Sequence, residues 1–470
     1  MKIEQIYTGC LSHAAYYLES NGEAALFDPL REVQPYIDRA AKDHSHIKYV
    51  FETHFHADFV SGHIDLAAKT GAQIVYGPTA KPNFSAIIAS DGQVFRVGAC
   101  TVKAIHTPGH TLESTTYLIT DEHGKDHGII SGDTLFIGDV GRPDLAQHVI
   151  AELTEEILAG KLYDSLRNKI MPLADDLIVY PNHGAGSACG KNMSKETTDT
   201  LGHQKLINYA LDPKLTKEAF IKVVLDGLAP PPAYFPKNVL MNIKGYESFD
   251  QVMNKGLKGI NLSEFESLIN DPTILILDTR TASDFALGFI PNSLNIALDG
   301  SFAMWVGELI SDIQQKIVLI SYPGKEEEAI TRLARVGYDG TIGYFQGGFD
   351  LWKNASKPVE KIQRISATTF ADQYATNLLI IDVRRKSEFN AEHVVDALNI
   401  PLNELTAHLA SFPKDKPFIL YCAGGYRSMI AASILKQKGW HQFTDVIGGF
   451  AEISKTQVPK TKYVCPTSLL

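Results

Sequence analysis

The chain has 470 residues, enough for about three domains of ordinary size. Hydrophobic residues make up 44% and charged residues 21%, which excludes a disordered, collagen-like or coiled-coil chain. Lys and Arg number 44 and Asp and Glu 54, so the formal net charge is −10. Because this acidic balance disfavours phosphate backbones and anionic bilayers, neither nucleic acid nor a membrane is expected as a partner.

The amino terminus and the cysteines predict the cellular compartment. No apolar run approaches the roughly 18 residues that cross a bilayer, and no basic segment followed by an apolar stretch opens the chain. The cysteines, Cys10, Cys100, Cys189, Cys422 and Cys465, are far apart and odd in number, so a disulfide framework is not expected. These features predict a cytoplasmic protein with reduced thiols.

The first half of the chain, residues 1–243, is predicted to alternate strands with helices. Strands are predicted at 24–28, 49–54 and 127–133, and helices at 60–70 and 151–171. The proline-rich segment 228–237 is predicted to be an extended arm, because proline fixes φ and removes a hydrogen-bond donor. A linker is predicted over 244–260.

An internal repeat organises the second half. Ile276–Arg280 matches Ile380–Arg384, and Gly347–Phe349 matches Gly448–Phe450. Each copy is about 100 residues long and begins with an apolar strand that ends in Asp-x-Arg. The repeat predicts two tandem α/β domains, one over 261–360 and one over 361–460, and then a tail over 461–470.

Candidate metal ligands in the first half each follow an apolar run, where α/β sheets present their functional loops. They are His54, His56, Asp58, His110, Asp133 and His183. His54 and His56 leave a strand end two residues apart, so their side chains can point the same way. The joint pattern predicts a metal site. His63 is predicted to lie on the surface of the following helix, and His106 is predicted to pack.

The motifs around these residues resemble the metallo-β-lactamase superfamily. They are HxHxD at 54–58, PGHT at 108–111, SGDT at 131–134 and the later His183. Within it, residues 139–144 (DVGRPD) and 184–190 (GAGSACG) resemble persulfide dioxygenases fused to rhodanese domains. The resemblance implies the α/β fold class, with an αββα sandwich over 1–243 followed by two rhodanese-like domains.

The resemblance also implies the metal and its ligands. It assigns one Fe(II) per chain to His54, His110 and Asp133, the two-histidine, one-carboxylate arrangement of non-haem iron oxygenases. Phe59 stands where the dinuclear hydrolases have a further histidine, which favours a single metal ion. Zn²⁺ on the same ligands could support hydrolysis but not O₂ activation.

Five further residues near this site are expected to have supporting or alternative roles. His56 and Asp58 are expected to orient the metal ligands, and His183 either does the same or faces the substrate. Arg142 either holds a loop or, as the resemblance implies, contacts a carboxylate or phosphate of the substrate. Cys189 is either a buried structural thiol or a sulfur relay.

A second chemical signal lies in the last domain. An apolar strand at 418–421 leads into Cys422, and a helix is predicted over 429–437. Backbone N–H groups of the intervening loop would stabilise a thiolate or persulfide anion, and Arg427 adds a cationic donor. The pattern C-x-x-G-x-R resembles the rhodanese active loop. The resemblance implies that Cys422 and Arg427 are catalytic and that the substrate contacts the loop residues Ala423, Gly424, Gly425 and Tyr426.

The first repeat copy lacks these residues. Ser321 stands at the cysteine position, and Glu326, Glu327 and Glu328 follow it. Glutamates suit a helix N-terminus but would repel an anionic sulfur donor. This copy is therefore expected to be a scaffold without transferase activity.

Together the resemblances imply a fused persulfide dioxygenase and sulfurtransferase that detoxifies sulfide. The persulfide of glutathione, coenzyme A or bacillithiol would be oxidised by O₂ to sulfite, and Cys422 would pass a sulfur to sulfite, forming thiosulfate. Two alternatives stay open. One is a Zn-dependent thiolester hydrolase of glyoxalase II type with accessory rhodanese domains, and the other is a carrier that holds persulfide on Cys422 for a partner. A homo-oligomer is expected from the family.

Overall fold

The computed structural model describes residues 1–145, 153–228, 230–374 and 378–464. These divide into two compact units, and the first consists of Met1–Gln251 together with Leu333–Asp339. Within the described ranges, no helix combines the length and the apolar character that a membrane span needs. Cys465 and most of the predicted tail 461–470 lie outside them, as do residues 151 and 152 of a predicted helix.

The strands of the first unit form two six-stranded sheets, in each of which spatial neighbours are also neighbours in sequence. The first sheet contains β1 (Lys2–Thr8), β2 (His13–Ser20), β3 (Glu23–Phe27), β4 (His46–Phe51), β5 (Gln73–Tyr76) and β6 (Ile87–Ile88). The second contains β7 (Val94–Val97), β8 (Cys100–His106), β9 (Thr115–Thr120), β10 (Asp126–Gly132), β11 (Ile178–Pro181) and β12 (Asp199–Thr200). The strands predicted at 24–28, 49–54 and 127–133 correspond to β3, β4 and β10.

The helices up to residue 256 are α1 (Gln34–Lys42), α2 (His63–Thr70), α3 (Glu155–Ser165), α4 (Leu201–Ile207), α5 (Lys217–Leu225), α6 (Phe235–Lys244) and α7 (Phe249–Gly256). The two sheets pack face to face over a core that includes Phe27 and Tyr117. Leu66 of α2 packs on the other face of the first sheet, and Leu162 of α3 on the other face of the second. The predicted αββα sandwich is thereby confirmed.

Three local predictions in this unit differ from the structure. The extended arm predicted over 228–237 was wrong at its end, since α6 begins at Phe235. Pro236 lies in the first turn of α6, where its missing N–H costs nothing. The predicted linker, 244–260, contains α7. The surface position predicted for His63 was also wrong, because its side chain is fully buried beside Phe84.

The second unit contains two five-stranded parallel sheets with equivalent strand orders. The order β13–β17–β16–β14–β15 joins β13 (Gly259–Ile260), β14 (Ile274–Asp278), β15 (Leu294–Asn295), β16 (Lys316–Ile320) and β17 (Thr341–Phe345). The order β18–β22–β21–β19–β20 joins β18 (Gln363–Ile365), β19 (Ile380–Asp382), β20 (Leu398–Asn399), β21 (Phe418–Tyr421) and β22 (Phe443–Val446). The shared order confirms that the repeat consists of two copies of one α/β domain.

The remaining helices are α8 (Leu262–Leu268), α9 (Ala282–Leu287), α10 (Phe302–Leu309), α11 (Glu326–Arg335), α12 (Gly348–Asn354), α13 (Ala367–Gln373), α14 (Lys386–Ala391), α15 (Tyr426–Gln437) and α16 (Gly449–Ile453). The repeated motifs have a common physical role. Arg384 pairs with Asp382 at the end of β19, and its guanidinium lies 4.0 Å from the ring centroid of Phe450. In the first copy, Arg280 makes the same pair with Asp278.

Candidate metal centre and thiol site

The predicted metal ligands lie on loops at the ends of strands in the first unit. His54 follows β4, and Asp133 follows β10 directly. His110 lies in the connection between β8 and β9, and His183 follows β11 by two residues. β3 pairs with β4 in parallel, as β10 does with β11, so each sheet presents neighbouring strand ends at one edge.

His54, His110 and Asp133 form a compact buried trio. One potential ligand atom from each lies within 4.8 Å of the others. The Nε2 atom of His110 is 3.4 Å from Oδ2 of Asp133. Neither carboxylate oxygen of Asp133 has a hydrogen-bond partner within the described part of the chain. A buried carboxylate without partners is costly, and a cation would offset that cost, so the trio fits a metal ion.

The histidines of the trio are oriented through their other ring nitrogens. Nδ1 of His110 lies 2.7 Å from the backbone carbonyl of Arg142, which can only accept, so Nδ1 donates and the lone pair of the neutral ring is on Nε2. Nδ1 of His54 lies 3.0 Å from the Thr53 hydroxyl. Burial, with His56 and His110 nearby, holds the pKa of His54 well below its usual range. Both rings can therefore ligate a metal through Nε2.

A second cluster adjoins the trio and contains Asp58, His183 and Cys189. Nε2 of His183 lies 3.5 Å from Oδ2 of Asp58 and 3.6 Å from Oδ1 of Asp133. Burial, with the carboxylates of Asp58 and Asp133 nearby, raises the pKa of the Cys189 thiol well above its ordinary value. Asp58 and His183 thus lie beside the trio, and their roles, like the relay role of Cys189, stay predictions.

His56 belongs to a third buried cluster, with Asp28 and Glu52. Its Nε2 lies 2.9 Å from Oδ1 of Asp28 and 3.5 Å from Oε2 of Glu52. Burial alone would lower the pKa of His56, but the two carboxylates outweigh it and raise that pKa well above its usual value. Asp28 also accepts the N–H of Thr53 at 2.7 Å, so this cluster braces the chain beside His54.

Sequence reasoning missed Asp28 and Glu52, although each directly follows an apolar strand, as the predicted ligands do. Phe59 adds an apolar ring beside this polar cluster. Its ring stacks on His56 with 4.3 Å between centroids, and it lies equally close to His13. A phenyl ring therefore lies against two of the buried imidazole rings of the site.

A cleft of about 240 Å³ opens beside the trio, with His110 in its wall. Its wall also includes Phe55, Leu112, Leu145, Val239 and Ile243, with Lys81 and Glu113 as charged members that sequence reasoning missed. Arg142 is absent from the described lining. Its guanidinium pairs with Asp144 through two contacts of 2.6 Å, while its backbone carbonyl orients His110. Contact of Arg142 with a substrate stays a prediction.

The thiol site lies in the second unit. Cys422 follows β21, whose bounds match the predicted strand, and is 1% exposed. The N–H of Gly425 donates to Sγ of Cys422 at 3.1 Å. Gly425 has φ of +99°, a conformation that favours glycine, and α15 begins at the next residue. The helix therefore starts one turn before the predicted 429, which brings its N-terminus to the thiol.

Two of the other predicted residues of this loop, Arg427 and Tyr426, bond to neighbouring groups through their side chains. Arg427 makes a bidentate ion pair with Glu388, at 2.6 and 2.8 Å. The hydroxyl of Tyr426 donates to the carbonyl of Ala297 at 2.7 Å. In the first copy, the Ser321 hydroxyl bonds to Thr279 at 2.6 Å.

Comparison with known proteins agrees with this architecture. Residues 8–183 match the Metallo-beta-lactamase superfamily, and residues 261–355 and 366–456 match the Rhodanese-like domain. A Staphylococcus aureus subsp. aureus COL structure titled metallo-beta-lactamase is 30% identical, with a TM-score of 0.64, and the match covers 73% of this chain and 98% of that one. The chain belongs to the metallo-β-lactamase superfamily, and two rhodanese-like domains follow its superfamily domain.

Two curated relatives differ in their named activities. Cytoplasmic hydroxyacylglutathione hydrolase of Arabidopsis thaliana is 31% identical over 195 residues, which cover 39% of this chain and 74% of the relative. Persulfide dioxygenase ETHE1, mitochondrial, of Homo sapiens is 28% identical over 207 residues, covering 43% and 71% respectively. The chain spans only 60 to 66% of the length of several other curated relatives.

Proposed function

We propose that this protein is a non-haem Fe(II) persulfide dioxygenase linked to a Cys-persulfide sulfurtransferase. The observation that carries the proposal is the trio of His54, His110 and Asp133 with Phe59 in place of a further histidine. This arrangement favours one metal ion with open positions over a dinuclear hydrolytic centre. The similarity to a human persulfide dioxygenase supports the same activity.

In the first reaction, a thiol persulfide, O₂ and water give the free thiol and sulfite. The S–S bond breaks, the terminal sulfur is oxidised, and O₂ accepts the electrons. Fe(II) held by the trio would supply the O₂ activation that Zn²⁺ lacks. The apolar wall formed by Phe55, Leu112 and Leu145 would limit the access of bulk water to the sulfur, and Lys81 would attract an anionic group of the carrier.

In the second reaction, the Cys422 thiolate takes the outer sulfur of a second thiol persulfide, which leaves as the free thiol, and Cys422 then carries a persulfide. Sulfite attacks the terminal sulfur, so the Cys422 S–S bond breaks and a new S–S bond forms in thiosulfate. The electron pair returns to the Cys422 thiolate. The N–H of Gly425 and the N-terminus of α15 favour that anion. The carrier would be glutathione, coenzyme A or bacillithiol, and the reactions would take place in the cytoplasm in a homo-oligomer.

A second candidate is a Zn-dependent thiolester hydrolase, which the similarity to hydroxyacylglutathione hydrolases favours. The test compares Fe(II)-loaded and Zn-loaded protein, each given glutathione persulfide or a glutathione thiolester. The proposal expects sulfite from the persulfide with iron alone, measured in the Cys422→Ser variant so that the second reaction does not consume it. Thiolester hydrolysis by the zinc form, with no sulfite from the iron form, would reverse the assignment.

A further inference from the structure

The loop between β4 and α2, residues 52–62, is an irregular segment buried along its whole length. It contains His54 of the metal trio as well as His56 and Asp58. Some of its backbone groups pair with neighbouring strands or with the bridge partner Leu30. The others need partners from elsewhere, because leaving backbone N–H and C=O groups unpaired in the interior is costly. The loop geometry therefore depends on the groups that supply those partners.

Asn242 of α6 supplies three of them. Its side-chain Nδ2 donates to the carbonyl of His56 at 2.8 Å and to the carbonyl of Phe59 at 2.9 Å. Its Oδ1 accepts the N–H of Ser61 at 3.0 Å. The side chain is fully buried, so water does not compete for these bonds. One amide thus holds the loop at three backbone positions downstream of His54.

We infer that Asn242 is a positioning residue for the metal centre. By holding the loop, it keeps His54 close to His110 and Asp133. The chemistry of the contact requires a short amide, with two donors and an acceptor. A carboxylate of the same size would face two carbonyl oxygens and repel them. α6 lies beyond residues 8–183, so this brace comes from outside the segment that matches the superfamily.

The same helix contains a matched control. Asn238 lies one turn earlier on α6 and is also fully buried. Neither polar atom of its side chain has a hydrogen-bond partner within the described residues. Replacing Asn238 with leucine therefore removes a buried amide of the same type without removing a bond to the loop.

The inference rests on the metal-centre assignment of the proposed function but not on its O₂ chemistry. The test measures Co²⁺ affinity by competition with a chelator, and the Co²⁺ ligand-field absorption, for the full-length chain and its variants. Asn242→Leu should bind Co²⁺ at least about tenfold more weakly, with shifted absorption bands, as other residues that orient metal ligands do when lost. Asn238→Leu should match the wild type in both measurements.

Circular dichroism and thermal melting establish that each variant is folded. Should Asn242→Leu fail to fold, Asn242→Ser, which retains one short hydrogen-bonding group, is measured instead. Equal Co²⁺ affinity and spectra in the Asn242 and Asn238 variants would overturn the inference. The two proposals can also fail separately. If Asn242→Leu loses Co²⁺ affinity but the iron form of the wild type does not oxidise persulfide, the positioning role is supported and the proposed activity is rejected.

Discussion

Several buried polar atoms in the first unit lack a hydrogen-bond partner within the described residues. Around the trio these are both carboxylate oxygens of Asp133, Oδ1 of Asp58 and Nε2 of His183. Buried polar atoms are nearly always paired in folded proteins, so a group of unpaired ones marks a place where a ligand completes the bonding. The atoms that remain open belong to carboxylate and imidazole groups, the ligand types of an iron or zinc ion.

His63 shows the same pattern without belonging to the trio. Both ring nitrogens lack a hydrogen-bond partner within the described residues, and Oε1 of Glu52 lies 3.7 Å from Nδ1. Burial, with His56 nearby, lowers the pKa of His63 from 6.5 to about 3. The folded state therefore keeps this ring neutral while the unfolded chain protonates it. The neutral buried ring therefore costs no unfolding free energy above pH 6.5. As the pH falls from 6.5 towards 3, protonation of His63 in the unfolded chain progressively lowers the unfolding free energy.

Replacing His63 with leucine should reduce the acid sensitivity of the first unit. Between pH 6.5 and pH 5, the wild type should lose about 1.5 kcal/mol more of its unfolding free energy than His63→Leu. Urea titrations at both pH values measure this, with labelling of the buried Cys189 thiol as the readout. An unchanged pH dependence in the variant would show that His63 does not contribute to it.

At the scale of elements, the repeat copy without a cysteine contacts the copy that contains Cys422. This contact is consistent with a scaffold role for the first copy. Tyr426, the first residue of α15, bonds through its hydroxyl to Ala297 of the first copy. A Cβ added to Gly300 would lie 2.2 Å from Cε2 of Tyr426. The first copy therefore packs against the loop that holds Cys422, as a scaffold would.

Gly300→Ala should displace the Tyr426 ring and lower sulfur transfer by Cys422. Overpacking of this kind costs about 1–3 kcal/mol, and a small misplacement of a reacting group can reduce a rate tenfold or more. We expect about a tenfold loss of transfer from thiosulfate to cyanide, with O₂ uptake unchanged. Ser301→Ala is the control, since Ser301 is exposed and its side chain does not cap α10. Equal activity in both variants would contradict the scaffold role.

Elements with strong local signals were predictable from the sequence. The bounds of β21 match because an apolar run precedes Cys422, and His54 and Asp133 were recognisable because each follows such a run. Asn242 was not, since its partners lie 181 to 186 residues away and nothing local marks it. The burial of His63 was missed for the same reason, because the aromatic side chains around it come from other segments.

At the scale of the whole molecule, two compact units contain two different candidate sites. The first contains the buried trio and its cleft, and the second contains the thiol loop and a copy of its own fold without the thiol. In the proposed pathway the sulfite made by the first unit is the acceptor used by the second. Under this proposal, fusing the domains has a chemical advantage, because the product of the first reaction and the acceptor of the second are the same small anion, sulfite.

The measurement that tests this account most directly is O₂ uptake by the Fe(II)-loaded full-length protein given glutathione persulfide or coenzyme A persulfide. We predict one O₂ consumed per sulfite and thiosulfate formed together, uptake abolished by His110→Ala, and uptake retained by Cys422→Ser. The first substitution removes a metal ligand and the second only the acceptor of sulfur in the other unit. Absence of uptake with either donor, in protein shown to contain iron, would contradict the account.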